Sequence, residues 1–332
     1  MSFELILPFL RPIEHLIRDP SISEVMVNPT KRVWIERHGR LEEVPDLHLE
    51  ERNLRVAVQN IARLLGDDFS DEKPLLDSRL PDGSRVAAAL PPCAVDGIAL
   101  TIRKFAARFF RPEQLVAAGS VTPAVLDTIA HAIRARQNVL ISGGTGTGKT
   151  TLLNAIADFI PDDERVVLLE DTAELRITKP NLVRFEARRE QPPLVAVTIR
   201  DLVRATLRHR PDRVILGEIR GGEAFDLLQV LNVGHTALTT VHANNAAQAL
   251  TRLASCVLMS DVALPYQAIR AALAETIHLI VHVERRGAHR AVAELVRVRH
   301  YHPDTDRYTL EVLYSTGGQT CADSASAPSH SS

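Results

Sequence analysis

Eight consecutive residues, 143–150, read GGTGTGKT and fit the pattern G-x-x-x-x-G-K-[ST]. Glycines let backbone N–H groups turn toward phosphate oxygens, because no side chain stands in the way. The N-terminus of a following helix adds partial positive charge. In such a loop Lys149 reaches the β- and γ-phosphates, and the Thr150 hydroxyl ligates Mg²⁺. A glycine-rich turn that binds nothing is the alternative, which the full match disfavours.

The loop therefore predicts a site for ATP with Mg²⁺. An apolar run enters it at 138–142, and a helical pattern leaves it. The residues expected to contact the nucleotide are Gly143, Gly144, Thr145, Gly146, Thr147, Gly148, Lys149, Thr150 and Thr151.

Two later apolar runs end in acidic residues. Hydrolysis needs a carboxylate for the metal or the attacking water. Glu218 follows the run 214–217 and is expected to orient that water, although an ordinary surface ion pair would fit it equally well. The run 166–169 leads into Glu170 and Asp171, with Glu174 nearby, and these three acids are expected to line the Mg²⁺ and water region. A solvated acidic turn that caps a helix is the alternative for them.

A histidine closes another short apolar run. His242 follows residues 238–241 and has small and polar neighbours. A histidine there can hydrogen-bond the γ-phosphate or relay its presence to the sheet. A lone histidine is more often structural, so these residues alone assign it no role.

The elements that must position these side chains follow from hydrophobic periodicity. From Ser120 onward, helical patterns alternate with short apolar runs, which is typical of a mostly parallel sheet flanked by helices. Strands are predicted at 139–142, 166–170, 214–217, 238–241 and 279–283. Helices are predicted at 122–136, 149–159, 199–208, 223–233, 246–258 and 266–276.

The first hundred residues have a different pattern. A helix is predicted at 3–18, then strands at 24–29 and 32–37, a turn at His38-Gly39, a helix at 50–65 and strands at 85–90 and 98–103. This gives an α+β domain at 1–104, a linker at 105–118, an α/β domain at 119–314 and a disordered tail at 315–332. The helix at 3–18 is amphipathic, and packing on its own domain is favoured over contact with a membrane or a partner.

Composition excludes several classes of protein. The 332 residues carry a net charge of −2 and only 4% aromatic residues, which disfavours a nucleic-acid-binding surface. No apolar run reaches the ~20 residues of a membrane span, and no signal-peptide pattern is present. Cys93, Cys256 and Cys321 are far apart, so we expect no disulfide framework, no zinc site and a reducing cytoplasm.

Four segments occur in one order: the loop at 143–150, an acidic box at 170–175, Gly-Glu-x-Arg-Gly-x-Glu-Ala at 217–224, and a segment ending in His-Ala-Asn at 234–244. This order resembles the type II/type IV secretion traffic ATPases, over residues 22–314. The resemblance implies a RecA-like P-loop ATPase core preceded by a smaller, sensor-like α+β domain. It further implies a role for His242 in sensing the γ-phosphate.

The resemblance extends to the N-terminal domain. Residues 80–86 and 101–104 are similar to the segments from which that domain supplies arginines to the nucleotide. Arg85 and Arg103 are then implied to reach the γ-phosphate, whereas without the resemblance they would be exposed strand-end arginines. Arginine suits this role because its planar fork stays charged and binds phosphate with two hydrogen bonds.

The family also has branches. The sequence after Glu218 reads Arg220-Gly221-Gly222-Glu223-Ala224, which resembles the conjugation, type IV secretion and tight-adherence pilus branch. The lack of a four-cysteine insertion disfavours the type II assembly branch. The glutamate at 218, where many phosphate-loop enzymes have aspartate, is itself a feature of this family.

The resemblance implies a cytoplasmic homo-hexamer that works with inner-membrane components of a secretion, conjugation or pilus machine. A peripheral contact with the inner membrane is a further expectation, and no zinc or sequence-specific nucleic acid is expected. A nucleic-acid translocase or helicase with a similar core is the alternative function. A nucleotide-binding scaffold without hydrolysis is the third.

Overall fold

The chain folds into two compact units, Met1–Arg108 and Phe109–Ser332. They are seen in a computed structural model that describes residues 4, 6–29, 32–80, 82–104, 110–188, 190, 194–287 and 289–316. Each unit has its own sheet, and each is described by itself below.

The first unit packs one antiparallel sheet against helices. Its helices are α1 (Glu14–Arg18) and α2 (Glu51–Leu64). Its strands are β1 (Ile22–Val27), β2 (Val33–Arg37), β3 (Arg40–Val44), β4 (Leu75–Arg79), β5 (Arg85–Ala89) and β6 (Ala99–Arg103). The strand order is β3-β2-β1-β6-β5-β4. Apolar residues alternate along the central strands and meet the apolar side of α2, which forms the core.

The start of this unit differs from the predicted helix at 3–18. Phe3 and Leu5 lie outside the described residues. Two short 3₁₀ turns, Leu7–Phe9 and Arg11–Ile13, precede α1. Pro8 and Pro12 break the helix, because proline lacks an N–H donor and its ring crowds the preceding turn. The segment packs on its own unit, as favoured above: the core includes Ile6, Leu7, Leu10, Ile13, Leu16 and Ile17.

The second unit is an eight-stranded sheet flanked by helices. Its strands are β7 (Val139–Gly143), β8 (Val166–Glu170), β9 (Leu182–Glu186), β10 (Arg213–Ile219), β11 (Thr236–His242), β12 (Leu279–Arg286), β13 (His289–His302) and β14 (Arg307–Ser315). Its helices are α3 (Pro112–Ala117), α4 (Pro123–Arg134), α5 (Lys149–Ile156), α6 (Ile199–Thr206), α7 (Glu223–Asn232), α8 (Ala246–Leu258) and α9 (Tyr266–Thr276).

The order of this sheet is β14-β13-β12-β7-β11-β10-β8-β9. The strands from β12 to β9 pair in parallel, whereas β13 is antiparallel to both of its neighbours, β12 and β14. Every residue of β7 and β8 is buried, as expected for parallel strands covered on both faces. The mostly parallel sheet predicted from the sequence is confirmed.

The segment predicted as a linker, 105–118, contains a packed helix. Residues 105–109 lie outside the described residues, but α3 occupies 112–117 and buries Leu115 in a core cluster of the second unit. That part of the segment therefore belongs to the unit and does not form a linker. Of the tail predicted to be disordered, residues 317–332 lie outside the described part of the chain. None of the helices in the described residues is long and apolar enough to cross a membrane.

Candidate nucleotide site

The phosphate loop lies between β7 and α5 at the carboxyl end of the parallel sheet. β7 is the central strand there, paired with β11 on one side and β12 on the other. Gly148 precedes α5 with φ of +99°, a conformation that residues with side chains rarely adopt. At Gly143 a Cβ atom would lie 2.4 Å from the carbonyl oxygen of Val283. Because Gly143 has no side chain, the end of β7 can pass close to β12.

The ammonium group of Lys149 lies inside this loop. Its side chain is 8% exposed, and Nζ donates to the carbonyl oxygens of Gly143 at 3.1 Å and Gly144 at 2.9 Å. Burial lowers the pKa of Lys149, while the Glu218 carboxylate, 4.0 Å away, acts in the opposite direction. A cation is thus held where the sequence predicted phosphate contacts.

His242 connects this lysine to Glu218. Its Nδ1 lies 3.2 Å from Nζ of Lys149, and its Nε2 lies 2.7 Å from Oε1 of Glu218. Because an ammonium group can only donate, Nδ1 accepts, and Nε2 carries the proton that is donated to Glu218. Burial lowers the pKa of His242, which favours this neutral ring. The structure therefore brings Lys149, His242 and Glu218 together.

Arg220 holds the other side of the Glu218 carboxylate. Its Nε donates to Oε2 of Glu218 at 2.7 Å, and its Nη1 donates to Oδ2 of Asp171 at 3.3 Å. Both oxygens of Glu218 thus have fixed partners. The residue pattern alone gives Arg220 no role in the site. The available signal was its position two residues after Glu218, within the box 217–224.

Glu170 contacts the backbone of the turn that follows β8, and its place beside the metal stays a prediction. It is 4% exposed, and its Oε1 accepts the backbone N–H groups of Glu174 and Leu175, each at 2.7 Å. Burial raises its pKa, and these hydrogen bonds oppose that effect. Its Oε2 lies 3.5 Å from Arg184. Glu170 therefore shapes the turn that follows β8.

Two of the three acids predicted for the metal, Glu170 and Asp171, have protein partners in this structure. Asp171 is exposed and contacts Arg220. In the part of the chain that the structure describes, no group of three or more His, Cys, Asp or Glu residues could hold a metal ion. Thr150 is an exposed residue in the first turn of α5, directly after Lys149. Of the predicted metal ligands, Thr150 is thus the one placed in the loop itself.

A cavity of about 430 Å³ opens beside the loop. It is lined by Gly144, Thr145, His242, Ala243, Asn244, Gln248 and Arg252. The predicted sensing histidine and the outer part of the phosphate loop therefore face the same space.

Arg85 and Arg103 belong to the first unit. They are register partners on β5 and β6. Val86 and Ile102, their neighbours along the strands, are buried, so the two arginines lie on the sheet face opposite the core. Nε of Arg103 is 4.0 Å from Glu24. Their contact with the nucleotide stays a prediction.

Comparison with known proteins identifies the family. A model of the family described as "Type II/IV secretion system protein" matches residues 9–325. The chain belongs to this family. The resemblance found in the four boxes is therefore confirmed.

Relatives of the type II/IV secretion family share most of the chain. Conjugal transfer protein TrbB of Rhizobium radiobacter is 37% identical over 298 residues, covering 87% of this chain and 88% of that protein. Type IV secretion system protein VirB11 of Brucella suis biovar 1 (strain 1330) is 32% identical over 330 residues, covering 90% of each. These relatives belong to the branch that the sequence indicated.

A solved structure shares the fold. The pilus retraction motor PilT with bound ADP superposes with a TM-score of 0.60 and 18% identity, covering 94% of this chain and 84% of that chain. At this level of identity the likeness concerns architecture alone. The predicted fold class, an α/β ATPase core preceded by a smaller α+β domain, is confirmed.

Proposed function

We propose that this protein is the ATPase motor of a conjugation or type IV secretion machine, and that it hydrolyses ATP to drive assembly or substrate transfer. The observation that carries the proposal is the connected set Lys149, His242, Glu218 and Arg220 beside a phosphate loop. Its relatives named for conjugal transfer and type IV secretion support the machine served.

The chain's own residues divide the work of hydrolysis. Backbone N–H groups of the loop bind phosphate oxygens, and Lys149 supplies positive charge as negative charge develops on the γ-phosphoryl group. Glu218 orients the attacking water and accepts its proton, with its carboxylate held by His242 and Arg220. His242 lies between the lysine and the base, so a change at the phosphates reaches Glu218 through it.

Magnesium fits this site as part of the substrate. Mg²⁺ is commonly held by one or two protein oxygens together with substrate phosphates, so it does not need an all-protein cage. The hydroxyl of the exposed residue Thr150 suits this, with Asp171 nearby on the side of Arg220. Bound Mg²⁺ would neutralise charge on the phosphates.

Arginines of the first unit would complete the charge stabilisation. We assign Arg85 and Arg103 to the γ-phosphate. The assignment rests on the family resemblance and on their position on the same sheet face, opposite the core of the first unit. We further propose a homo-hexamer in the cytoplasm, with inner-membrane components of the machine as partners. A peripheral membrane contact is proposed from the resemblance alone. The apolar residues of the first segment do not add support, because they pack in the core of their own unit.

A nucleic-acid translocase is the less favoured function. The net charge of −2 and the 4% aromatic content give no observation in its favour. Turnover that rises with added DNA and falls steeply with salt would support it instead.

The variant Glu218→Gln tests whether Glu218 is the general base for ATP hydrolysis. We expect kcat for ATP hydrolysis to fall about 10²- to 10⁴-fold, because the general base is lost, while ATP still binds. The measurements are phosphate release, nucleotide affinity and the mass of the ATP-bound variant by light scattering. Asp127→Asn, at an exposed position of α4, is the control and should retain turnover. Full turnover in Glu218→Gln would contradict the assigned base, and a monomeric mass would contradict the ring.

A further inference from the structure

A second histidine, His282, lies beside the strand that enters the phosphate loop and belongs to none of the four boxes. It is 1% exposed, in the middle of β12. Its Nδ1 is 2.9 Å from Oγ of Ser142, which is fully buried and directly precedes Gly143. The two residues are register partners in the sheet. The ring therefore contacts the last residue before the loop.

The same ring contacts the segment that follows His242. The backbone of Asn244, two residues further on, is a second neighbour of this ring. On the next strand its register partner is Glu294. Oε2 of Glu294 accepts the N–H of Ala246, the first residue of α8, at 2.8 Å. This row of side chains across β7, β12 and β13 joins the loop strand to the N-terminal end of α8.

A neutral imidazole suits this position. It offers one donor and one acceptor on opposite sides of a flat ring, which the Ser142 hydroxyl and the Asn244 backbone can use. Burial lowers the pKa of His282, while the carboxylates of Glu284 and Glu294 oppose that shift. An apolar side chain of similar volume would leave buried polar groups without partners, which is costly.

These contacts affect the position of His242. His242 is the register partner of Gly143, so the pairing of β11 with β7 fixes its position along the strand. Its imidazole must also point at Glu218 to keep the 2.7 Å contact. The backbone that leaves His242 passes beside the His282 ring at Asn244 and is held at Ala246 by Glu294.

We propose that His282 is a positioning residue for ATP hydrolysis. It holds the segment after His242 against the strand that enters the phosphate loop, and so keeps the imidazole of His242 on Glu218. The proposal rests on the ATPase activity proposed above. His282 itself is separated from the phosphates by Ser142 and Gly143, so it acts through His242.

His282→Leu in the full-length chain is the first test. We expect kcat to fall about 10- to 100-fold, because a displacement of about 1 Å in a catalytic group has effects of this size. KM for ATP should change less than about threefold, because the loop that binds phosphate is unaltered. The control is His278→Leu, just before the other end of β12, where Nδ1 accepts the N–H of Asn138 at 3.1 Å. That variant should keep the kcat of the unaltered protein.

Two further variants separate positioning from general stability. Ser142→Ala removes one hydroxyl and tests the contact even if His282→Leu fails to fold. We expect the pair to be non-additive, so that kcat of the double variant matches that of His282→Leu alone. His282→Asn keeps a polar group near Ser142 and should recover part of kcat.

The outcomes distinguish this proposal from the function on which it rests. If the unaltered protein hydrolyses no ATP, the proposed function fails and the positioning role fails with it. If the unaltered protein is active and kcat is unchanged in both His282→Leu and Ser142→Ala, only the positioning role fails. Equal losses in His282→Leu and His278→Leu would also overturn it, since the effect would then be one of stability.

Discussion

His242 connects the two charged groups of the site. Its imidazole contacts both the ammonium group of Lys149 in the phosphate loop and the carboxylate of Glu218, the proposed base. Its tautomer follows from its partners: Lys149 can only donate to Nδ1, so Nε2 donates to Glu218. A charged ring would lose the contact with Lys149. The lowered pKa of His242 therefore supports the arrangement, since the ring stays neutral further into the acid range.

Arg220 gives a prediction at this scale. Arg220→Gln removes the charge that holds Oε2 of Glu218 and loosens the contact with Asp171. We expect kcat to fall about 10-fold, because the base becomes less well oriented, with KM for ATP nearly unchanged. Steady-state phosphate release measures both quantities. Arg208→Gln, at an exposed position after α6, is the matched control. An increase in KM without a loss of kcat would instead mean that Arg220 binds nucleotide.

The sequence predicted which residues form the site better than it predicted their partners. Lys149, Glu218 and His242 were located by pattern, and the structure brings them together. An acid at the end of an apolar run looks the same whether it faces a metal, as expected for Glu170, or accepts backbone N–H groups, as observed. The contact between Arg220 and Glu218 depends on the fold that surrounds the residues, which spacing alone does not encode.

At the scale of elements, the interior strands other than β13 were predictable, whereas the edge strands were not. The central strands β7, β8, β10, β11 and β12 were all predicted, with small shifts of their ends. The strands that were missed include every sheet edge: β3, β4, β9 and β14. Edge strands such as Arg40–Val44 are largely exposed and carry charged residues, so they lack an apolar run that marks a strand.

The close approach of β7 and β12 gives the prediction at this scale. In Gly143→Ala the added methyl group would lie 2.4 Å from the carbonyl oxygen of Val283, so β7 or β12 must shift. We expect the unfolding free energy to fall by more than about 2 kcal/mol. At Gly144 the added atom would meet Thr147 at 3.6 Å, an ordinary contact, so Gly144→Ala should cost less than about 1 kcal/mol. Thermal unfolding without nucleotide measures both, and equal losses would contradict the clash.

At the scale of the whole molecule, the proposed chemistry draws on both units. The loop, the base and the histidine belong to the second unit, whereas the proposed γ-phosphate arginines belong to the first. Each unit has a separate sheet and its own core.

Arg85→Ala and Arg103→Ala test whether the first unit takes part in hydrolysis. If these side chains stabilise charge on the γ-phosphoryl group, kcat should fall at least about 10²-fold in each, since arginines in this role contribute about 10³ or more in related chemistry. Arg40→Ala, at an exposed position on the edge strand β3, removes the same charge from another part of the same sheet and should retain kcat. Losses confined to Arg85 and Arg103 would place the transition state between residues of the two units. Unchanged turnover in both would confine the catalytic machinery to the second unit.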